Sequence, residues 1–304
     1  MAGYISRDFI SEINYFPATG IPIPVESFRH PRLGVRGETT RAVTIHDVRT
    51  KEQMFDLDTN GFVFVKLPPK ERSIENEEVI RRELYPEFEG LIKEMQVHTP
   101  LNHFTYLIVI SYRTGTSLAF VFNHAFRQAS GPDCKGKLDE KGRPMNTPAA
   151  HPHVDYSGVP EHIEESIKEL IHLGVPDGIA KHFKTCSRFC FINAWRPLKP
   201  IKKDPLVLAD ATTVPGSDYQ IRNRRFRSGI ESANYVLSHG TSEEQHQWYY
   251  MFEMQPDEVV LFKNYDTKQD IPGWRCPHTA VTIPGTELLP PRESMEIRAV
   301  CFWN

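Results

Sequence analysis

The triplet His153-Val154-Asp155 constrains this chain more than any other short segment, and it is the only His-x-Asp sequence among the 304 residues. On a β-strand, side chains at positions i and i+2 point to the same face, so this imidazole and this carboxylate can bind one metal ion side by side. The related triplet His162-Ile163-Glu164 falls in a predicted helix, where those positions point in roughly opposite directions. The sequence therefore predicts a strand at His153 that carries two ligands of a metal site.

A second histidine from a distant segment would complete a triad of two histidines and one carboxylate. Such a triad leaves coordination positions of non-haem Fe(II) open, as an enzyme that uses O2 requires. His278 follows a turn and opens a predicted strand at 279–283, where a ligand would be held in a fixed position. We predict His278 as the third ligand and keep His246, which borders a polar loop-like segment, as the alternative.

Arg292-Glu293-Ser294 opens the last predicted strand of the chain. Arg292 and Ser294 share a strand face, where the guanidinium can bind a carboxylate through two hydrogen bonds and the hydroxyl can add a third. A dicarboxylate that chelates iron through its keto-acid end would present such a carboxylate at its far end. The competing interpretation is a surface ion pair between Arg292 and Glu293, and Arg298 is a rival for the same carboxylate.

Seven short segments occur in the order that one family of iron enzymes shows. They are FNHAFR (122–127), HVDYS (153–157), NAWRPL (193–198), DPLVLAD (204–210), DEVVLFKNYD (257–266), HTA (278–280) and RESMEIR (292–298). The series resembles the cephamycin methoxylase subunit/gibberellin desaturase-like group of Fe(II)/2-oxoglutarate-dependent dioxygenases. That group includes fungal hydroxylases/desaturases of secondary-metabolite clusters, such as aspergillic acid and meroterpenoid oxygenases. The resemblance covers about residues 105–303, and one departure is Thr267, where a serine is expected.

The resemblance implies a mainly β fold with flanking helices, built on a double-stranded β-helix (jelly-roll) core. It implies Fe(II) as the metal, 2-oxoglutarate as cosubstrate and O2 as oxidant, with a hydroxylation or desaturation of a small metabolite. Asn193 is a further candidate for binding the cosubstrate or the substrate. Two alternatives remain: a non-haem iron oxidase of the same fold that does not consume 2-oxoglutarate, and a non-catalytic partner subunit of an oxygenase.

The pattern along the chain predicts one oxygenase domain over residues 1–304. Residues 1–100 are expected to form an irregular arm with strand-like pieces and a helix at 73–96, and residues 101–304 the β core. Within the core, 128–150 is a candidate lid loop and 160–173 a helix that begins at Pro160 and ends at Gly174. Strand-like runs at 104–112 and 117–122 and then in the second half suit a closed or two-layered β architecture.

Composition limits the classes of partner. The net charge of -3 favours no nucleic acid, and no apolar run is long enough for a membrane helix. Five cysteines without a predicted signal peptide favour free thiols and a cytoplasmic location, and the expected partners are a small-molecule substrate and a second copy in a homodimer. The four arginines at 222, 224, 225 and 227 are interpreted as a solvated basic loop, with binding of an anionic substrate or partner as the alternative.

Overall fold

The computed structural model describes residues 7–17, 36–70, 76–94, 116–128, 146–226, 228–239 and 246–304. The predicted strand at 104–112, Arg227, Cys134 and most of the predicted lid loop lie outside these residues. In chain order the strands are β1 (Phe9–Asn14), β2 (Thr40–Asp47), β3 (Phe62–Lys66), β4 (Leu118–Gln128), β5 (His153–Val154), β6 (Arg188–Pro197), β7 (Leu206–Ala209), β8 (Tyr219–Arg225), β9 (Glu231–Leu237), β10 (Trp248–Tyr250), β11 (Glu258–Asp266), β12 (His278–Ala280) and β13 (Glu293–Trp303). The helices are α1 (Glu77–Val79), which continues through a π-helical turn at Ile80–Leu84 into α2 (Tyr85–Glu94), then α3 (Pro160–His172) and α4 (Asp177–Thr185).

The strands form two sheets. The larger has the order β1-β2-β10-β7-β12-β5-β9-β8, and the smaller has the order β3-β11-β6-β13-β4. Their inner faces pack together where Trp195 and Phe262 of the small sheet meet Leu208 of the large one. The prediction of a mainly β protein with flanking helices is therefore confirmed.

The small sheet is covered on both faces, which explains its sequence. Every residue of β11 is buried, and so is every residue of β6 after Arg188. One face, with Ile192, Ala194 and Ile297, packs against α2, and the opposite face points toward the large sheet. Strands buried on both faces become nearly continuous apolar runs, so the few polar side chains on the inner face require a specific explanation.

The N-terminal region differs from the irregular arm that the sequence predicts. Strands β1 and β2 pair antiparallel, and β10 adds to β2 in parallel, so this region forms one edge of the large sheet. Its buried Tyr15 and Ile45 pack with Trp248. The predicted helix at 73–96 is present as α1, the π turn and α2 within the described residues, and Asn76 caps it by accepting a hydrogen bond from the main chain of Glu78.

The basic segment at 222–225 is part of a strand, and its interpretation as a solvated loop is wrong. Strand β8 pairs with β9 from Tyr219 opposite Leu237 to Arg225 opposite Glu231. Its residues alternate between partly buried and exposed, because one face points into the protein and the other to solvent. Arg222 and Arg224 lie on the inner face.

Candidate metal centre and its pocket

Strands β5 and β12 place the two predicted histidine ligands next to each other. His153 lies directly opposite His278 in the antiparallel pair, and the centres of their rings are 4.4 Å apart. Asp155 follows β5 directly, and its backbone N–H donates a hydrogen bond of 3.0 Å to the Asn264 side chain. One nitrogen or oxygen atom from each of His153, Asp155 and His278 lies within 4.8 Å of the others, a spacing that a single metal ion can bridge.

Main-chain carbonyls orient both imidazoles. The Nδ1 atom of His153 is 2.9 Å from the carbonyl oxygen of His151, and that of His278 is 3.2 Å from the carbonyl oxygen of Cys276. If each Nδ1 carries the proton and donates it to the carbonyl, each Nε2 keeps its lone pair for a metal. Burial, followed by the nearby His278, lowers the pKa of His153 to about 3, so its ring is neutral at physiological pH.

The carboxylate of Asp155 is held by polar groups from the small sheet. Its Oδ1 atom lies 3.6 Å from His153 Nε2, whereas Oδ2 accepts a 2.9 Å hydrogen bond from Asn193 and lies 3.7 Å from Arg298. Burial alone would raise the pKa of Asp155, but Arg298, the two histidines and Asn193 lower it below its usual range. The group is therefore an anion with one oxygen oriented toward the histidines.

A narrow pocket runs from the two histidines to Arg292. Its lining residues are Arg127, Ala149, His153, Trp195, Leu206, His278, Thr279, Ala280, Arg292 and Glu296. Arg292 is buried over the Trp195 ring at 5.3 Å and donates one hydrogen bond of 2.6 Å to the carbonyl oxygen of Asp204. The Nε atom of Arg292 and the hydroxyl of the neighbouring Ser294 are both shielded from solvent and have no hydrogen-bond partner among the described residues.

The described residues compensate the positive charge of Arg292 only in part. Burial, followed by the like charge of Arg127, lowers the pKa of Arg292 to about 9, and Asp204 and Glu296 counteract only part of this. Unsatisfied buried donors are rare because each costs free energy, so such a group calls for a partner. A carboxylate that reaches Arg292 and Ser294 would supply acceptors for both atoms, and 2-oxoglutarate chelating a metal at the histidines would bring one.

Other sequence-predicted residues lie at different places. His246 is buried away from the triad, with its ring nitrogens 2.9 Å from Asp218 and 3.2 Å from the Tyr15 hydroxyl, so it does not join the metal site. Asn193 and Arg298 contact Asp155 rather than the end of the pocket at Arg292. Arg298 also donates a 2.6 Å hydrogen bond to Glu296. Of the two candidate carboxylate anchors, Arg292 is therefore the one that has no carboxylate partner among the described residues.

The residues that sequence reasoning missed are Asn264 and Glu296, and Arg127 also lines the pocket. Arg127 reaches the pocket because β4 places it opposite Ser294 on β13. Asn264 turns toward Asp155 at a β-bulge between Lys263 and Tyr265, where the strand register shifts. The motif segments contained all three residues, but their orientation depends on long-range pairing.

Together, two facing β-sheets and a triad of two histidines and one aspartate define a mononuclear metal site of the kind that non-haem Fe(II) oxygenases use.

Comparison with known proteins leads to the same class of protein. The family described as "Oxidoreductase/YMDC permease-like domain" matches residues 21–302. No helix in the part of the chain that the structure describes is long and apolar enough to cross a membrane.

Curated relatives extend over most of the chain. The hydroxylase/desaturase efuI of Hormonema carpetanum is 32% identical over 277 residues, covering 87% of this chain and 84% of its own length. The alpha-ketoglutarate-dependent dioxygenase phiK of a fungal species is 28% identical over 292 residues, covering 94% and 92%. The solved structure of the iron and alpha-ketoglutarate-dependent endoperoxidase NvfI superposes with a TM-score of 0.70 at 23% identity, over 98% of both chains.

The chain belongs to this family of fungal oxidoreductases, which contains hydroxylases/desaturases and Fe(II)/2-oxoglutarate-dependent dioxygenases. The resemblance that the motifs indicate is therefore confirmed, as is the double-stranded β-helix core.

Proposed function

We propose that the chain is an Fe(II)/2-oxoglutarate-dependent oxygenase that oxidises an unactivated C–H bond of a small secondary-metabolite intermediate. His153, Asp155 and His278 would hold Fe(II), and Arg292 with Ser294 would bind the far carboxylate of 2-oxoglutarate. When bound, Fe(II) with 2-oxoglutarate and O2 supplies the oxidising power, with succinate and CO2 as co-products. The observation that supports this assignment most directly is that two buried atoms, Arg292 Nε and Ser294 Oγ, have no hydrogen-bond partner among the described residues, and that Arg292 lines the same pocket as the two histidines.

In this proposal the protein mainly positions groups and excludes water. The carbonyl oxygens of His151 and Cys276 orient the histidine rings, and Asn193 with Arg298 fixes the carboxylate of Asp155. Arg127, beside Arg292, adds a second positive charge for the cosubstrate. The buried pocket limits access of water to the metal, which strengthens these electrostatic interactions.

Anaerobic addition of Fe(II) and 2-oxoglutarate tests the proposal directly. We expect a visible metal-to-ligand charge-transfer band in the wild-type protein and none in His153→Ala. Folded protein without the band would contradict the proposal. In air, the same protein should form succinate from 2-oxoglutarate.

The oxidase that does not consume 2-oxoglutarate predicts substrate turnover without succinate, and in it Arg292 would bind a carboxylate of the substrate itself. The non-catalytic subunit predicts no iron binding, which the complete triad argues against. The predicted homodimer and the cytoplasmic location stay predictions, and the choice between hydroxylation and desaturation depends on the substrate.

A further inference from the structure

Strand β8 brings two arginines to the face of the large sheet that carries the metal ligands. Arg222 lies opposite Asn234 on β9, and on the other side of β9 Val236 lies opposite His153. Directly opposed residues of antiparallel strands point to the same face, and so do residues two apart on one strand. Arg222, Arg224 and His153 therefore share the inner face, two strands from the metal site.

Arg224 lies among aromatic rings close to the triad. Its guanidinium is 5.5 Å from the ring centre of Tyr156, the residue directly after Asp155, and 4.7 Å from that of Phe226. Its Nε atom is shielded from solvent and has no hydrogen-bond partner among the described residues. Cation–π contacts compensate part of the cost of burying this charge, but they satisfy none of its N–H donors.

The acidic groups whose fields reach Arg224 are engaged elsewhere. Asp155 accepts a hydrogen bond from Asn193, and Glu169 accepts one from Ser228. Burial lowers the pKa of Arg224 in spite of these carboxylates. A buried cation without a partner is costly, and protein interiors retain one mainly where a ligand supplies the counter-charge.

In the part of the chain that the structure describes, Arg222 has only neutral partners. Its Nε donates a 3.1 Å hydrogen bond to the Asn234 side chain, and one terminal nitrogen is 3.2 Å from His151 Nε2. Among the described residues, neither Arg222 nor Arg224 forms a salt bridge, whereas the outward-facing Arg225 lies 4.0 Å from Glu231. The inner face of β8 therefore carries two positive charges that the described part of the protein does not neutralise.

We propose that Arg224, assisted by Arg222, binds a carboxylate group of the organic substrate, so that this enzyme acts on an apolar acid rather than on a neutral molecule. This inference rests on the proposed function. A guanidinium fork matches the planar carboxylate, and the second arginine lies one i+2 step along the strand.

The surroundings of Arg224 suit the apolar body of such an acid. Tyr156 stacks on Phe191 of the small sheet with 4.4 Å between ring centres. Phe120 and Phe122, on β4, belong to the same cluster and are only partly buried. An acid held by Arg224 would lie along these rings, beside Asp155. Arg292 lines the pocket that contains the two histidines, and Arg224 is not among its lining residues, so the two anion sites are distinct.

The probe for this site is 2-naphthoate, an apolar acid, and its neutral control is 2-naphthamide. Binding is followed by calorimetry under anaerobic conditions, with Fe(II) and saturating 2-oxoglutarate present so that the site at Arg292 is filled. We expect wild-type protein to bind the acid, and to bind the amide at least about tenfold more weakly, because loss of one charge-assisted hydrogen bond has this order of effect. In Arg224→Met the affinity for the acid should fall to that of the amide, and Arg224→Lys should restore part of it.

The matched control is Arg225→Met, which removes the same charge from the exposed face of the same strand and should leave 2-naphthoate binding unchanged. Lack of binding to wild-type protein, equal affinity for acid and amide, or unchanged affinity in folded Arg224→Met would each overturn the proposal. The Fe(II)–2-oxoglutarate band is recorded in the same wild-type sample. Its absence would count against the proposed function alone, because the dependence of acid binding on Arg224 is measured without turnover.

Discussion

The two arginines that lie near the triad, Arg292 and Arg224, are alike in chemistry and different in setting. Each lies over an aromatic ring, each has a shielded Nε atom with no hydrogen-bond partner in the part of the chain that the structure describes, and burial lowers the pKa of each. Arg292 directly precedes β13, an interior strand of the sheet that is covered on both faces. Arg224 lies on β8, at the edge of the large sheet, with solvent on the other side of the strand.

This difference suggests a division of labour between the sheets. An anion site on a doubly buried sheet is held rigidly, as suits a cosubstrate that must always reach the metal with the same geometry. An edge strand tolerates substitution on its inner face without disturbing the core, which suits recognition of a particular substrate. In this view the small sheet holds the cosubstrate beside the metal ligands of the large sheet, and the edge of the large sheet selects the molecule that reacts.

The largest expected effect is the loss of Fe(II) affinity when a ligand of the triad is removed. Asp155→Ala should lower Fe(II) affinity by more than about 100-fold, beyond the effect of losing a group that only orients a ligand. Anaerobic equilibrium dialysis measures it. The control is His246→Asn, a change at the histidine that the structure places outside the site. If Asp155→Ala kept its affinity for iron and His246→Asn lost it, His246 rather than Asp155 would be the metal ligand.

The second largest effect is expected at Arg292, the arginine proposed to bind the cosubstrate. Arg292→Ala should raise the KM for 2-oxoglutarate about 100-fold, because two charge-assisted hydrogen bonds are lost, and Arg292→Lys should recover only part because lysine lacks the planar fork. Steady-state kinetics of succinate formation check this. If Arg298→Ala raised that KM while Arg292→Ala did not, Arg298 would be the carboxylate anchor.

A smaller effect is expected where the small sheet supports the metal ligand. Asn193→Leu removes the 2.9 Å hydrogen bond to Asp155, so Fe(II) affinity should fall about tenfold while the KM for 2-oxoglutarate stays within about twofold. This split separates a positioning residue from a cosubstrate ligand, the role that the sequence predicts. A larger change in the KM than in iron affinity would restore the sequence prediction.

The sequence could predict the metal site because its information is local. A strand places His153 and Asp155 on one face by its two-residue period, and Arg292 and Ser294 repeat that geometry. His278 could be predicted as the third ligand because it stands at the start of a predicted strand. The comparison of the two candidates, His278 and His246, could be decided only by the antiparallel pairing of β5 with β12.

Strand β8 could not be predicted by the same rule. Its inner face carries Gln220, Arg222 and Arg224 instead of apolar residues, so the alternation that marks a half-buried strand is absent. The inner face there carries charged and amide side chains, with aromatic rings beside Arg224, and the sequence then has the composition of a loop. Asn264 could not be predicted for a related reason, since a β-bulge orients it, and the position of Arg127 in the pocket depends on the pairing of β4 with β13.

The smallest expected effect is that of Arg224→Met on the free energy of unfolding. It separates arginines that bind ligands from arginines that stabilise the fold. Arg188 donates two hydrogen bonds to Asp266, whose side chain is fully buried and also pairs with Lys263, so Arg188→Met removes one of two cationic partners and should cost about 2 kcal/mol of unfolding free energy. Arg224→Met removes a cation that has no salt-bridge partner within the described ranges, and the relief of its desolvation offsets the loss of two cation–π contacts. We expect a change of no more than about 1 kcal/mol in ligand-free protein, in either direction. Chemical denaturation of both variants measures the contrast, and a loss in Arg224→Met as large as that in Arg188→Met would assign Arg224 to the fold instead of the substrate.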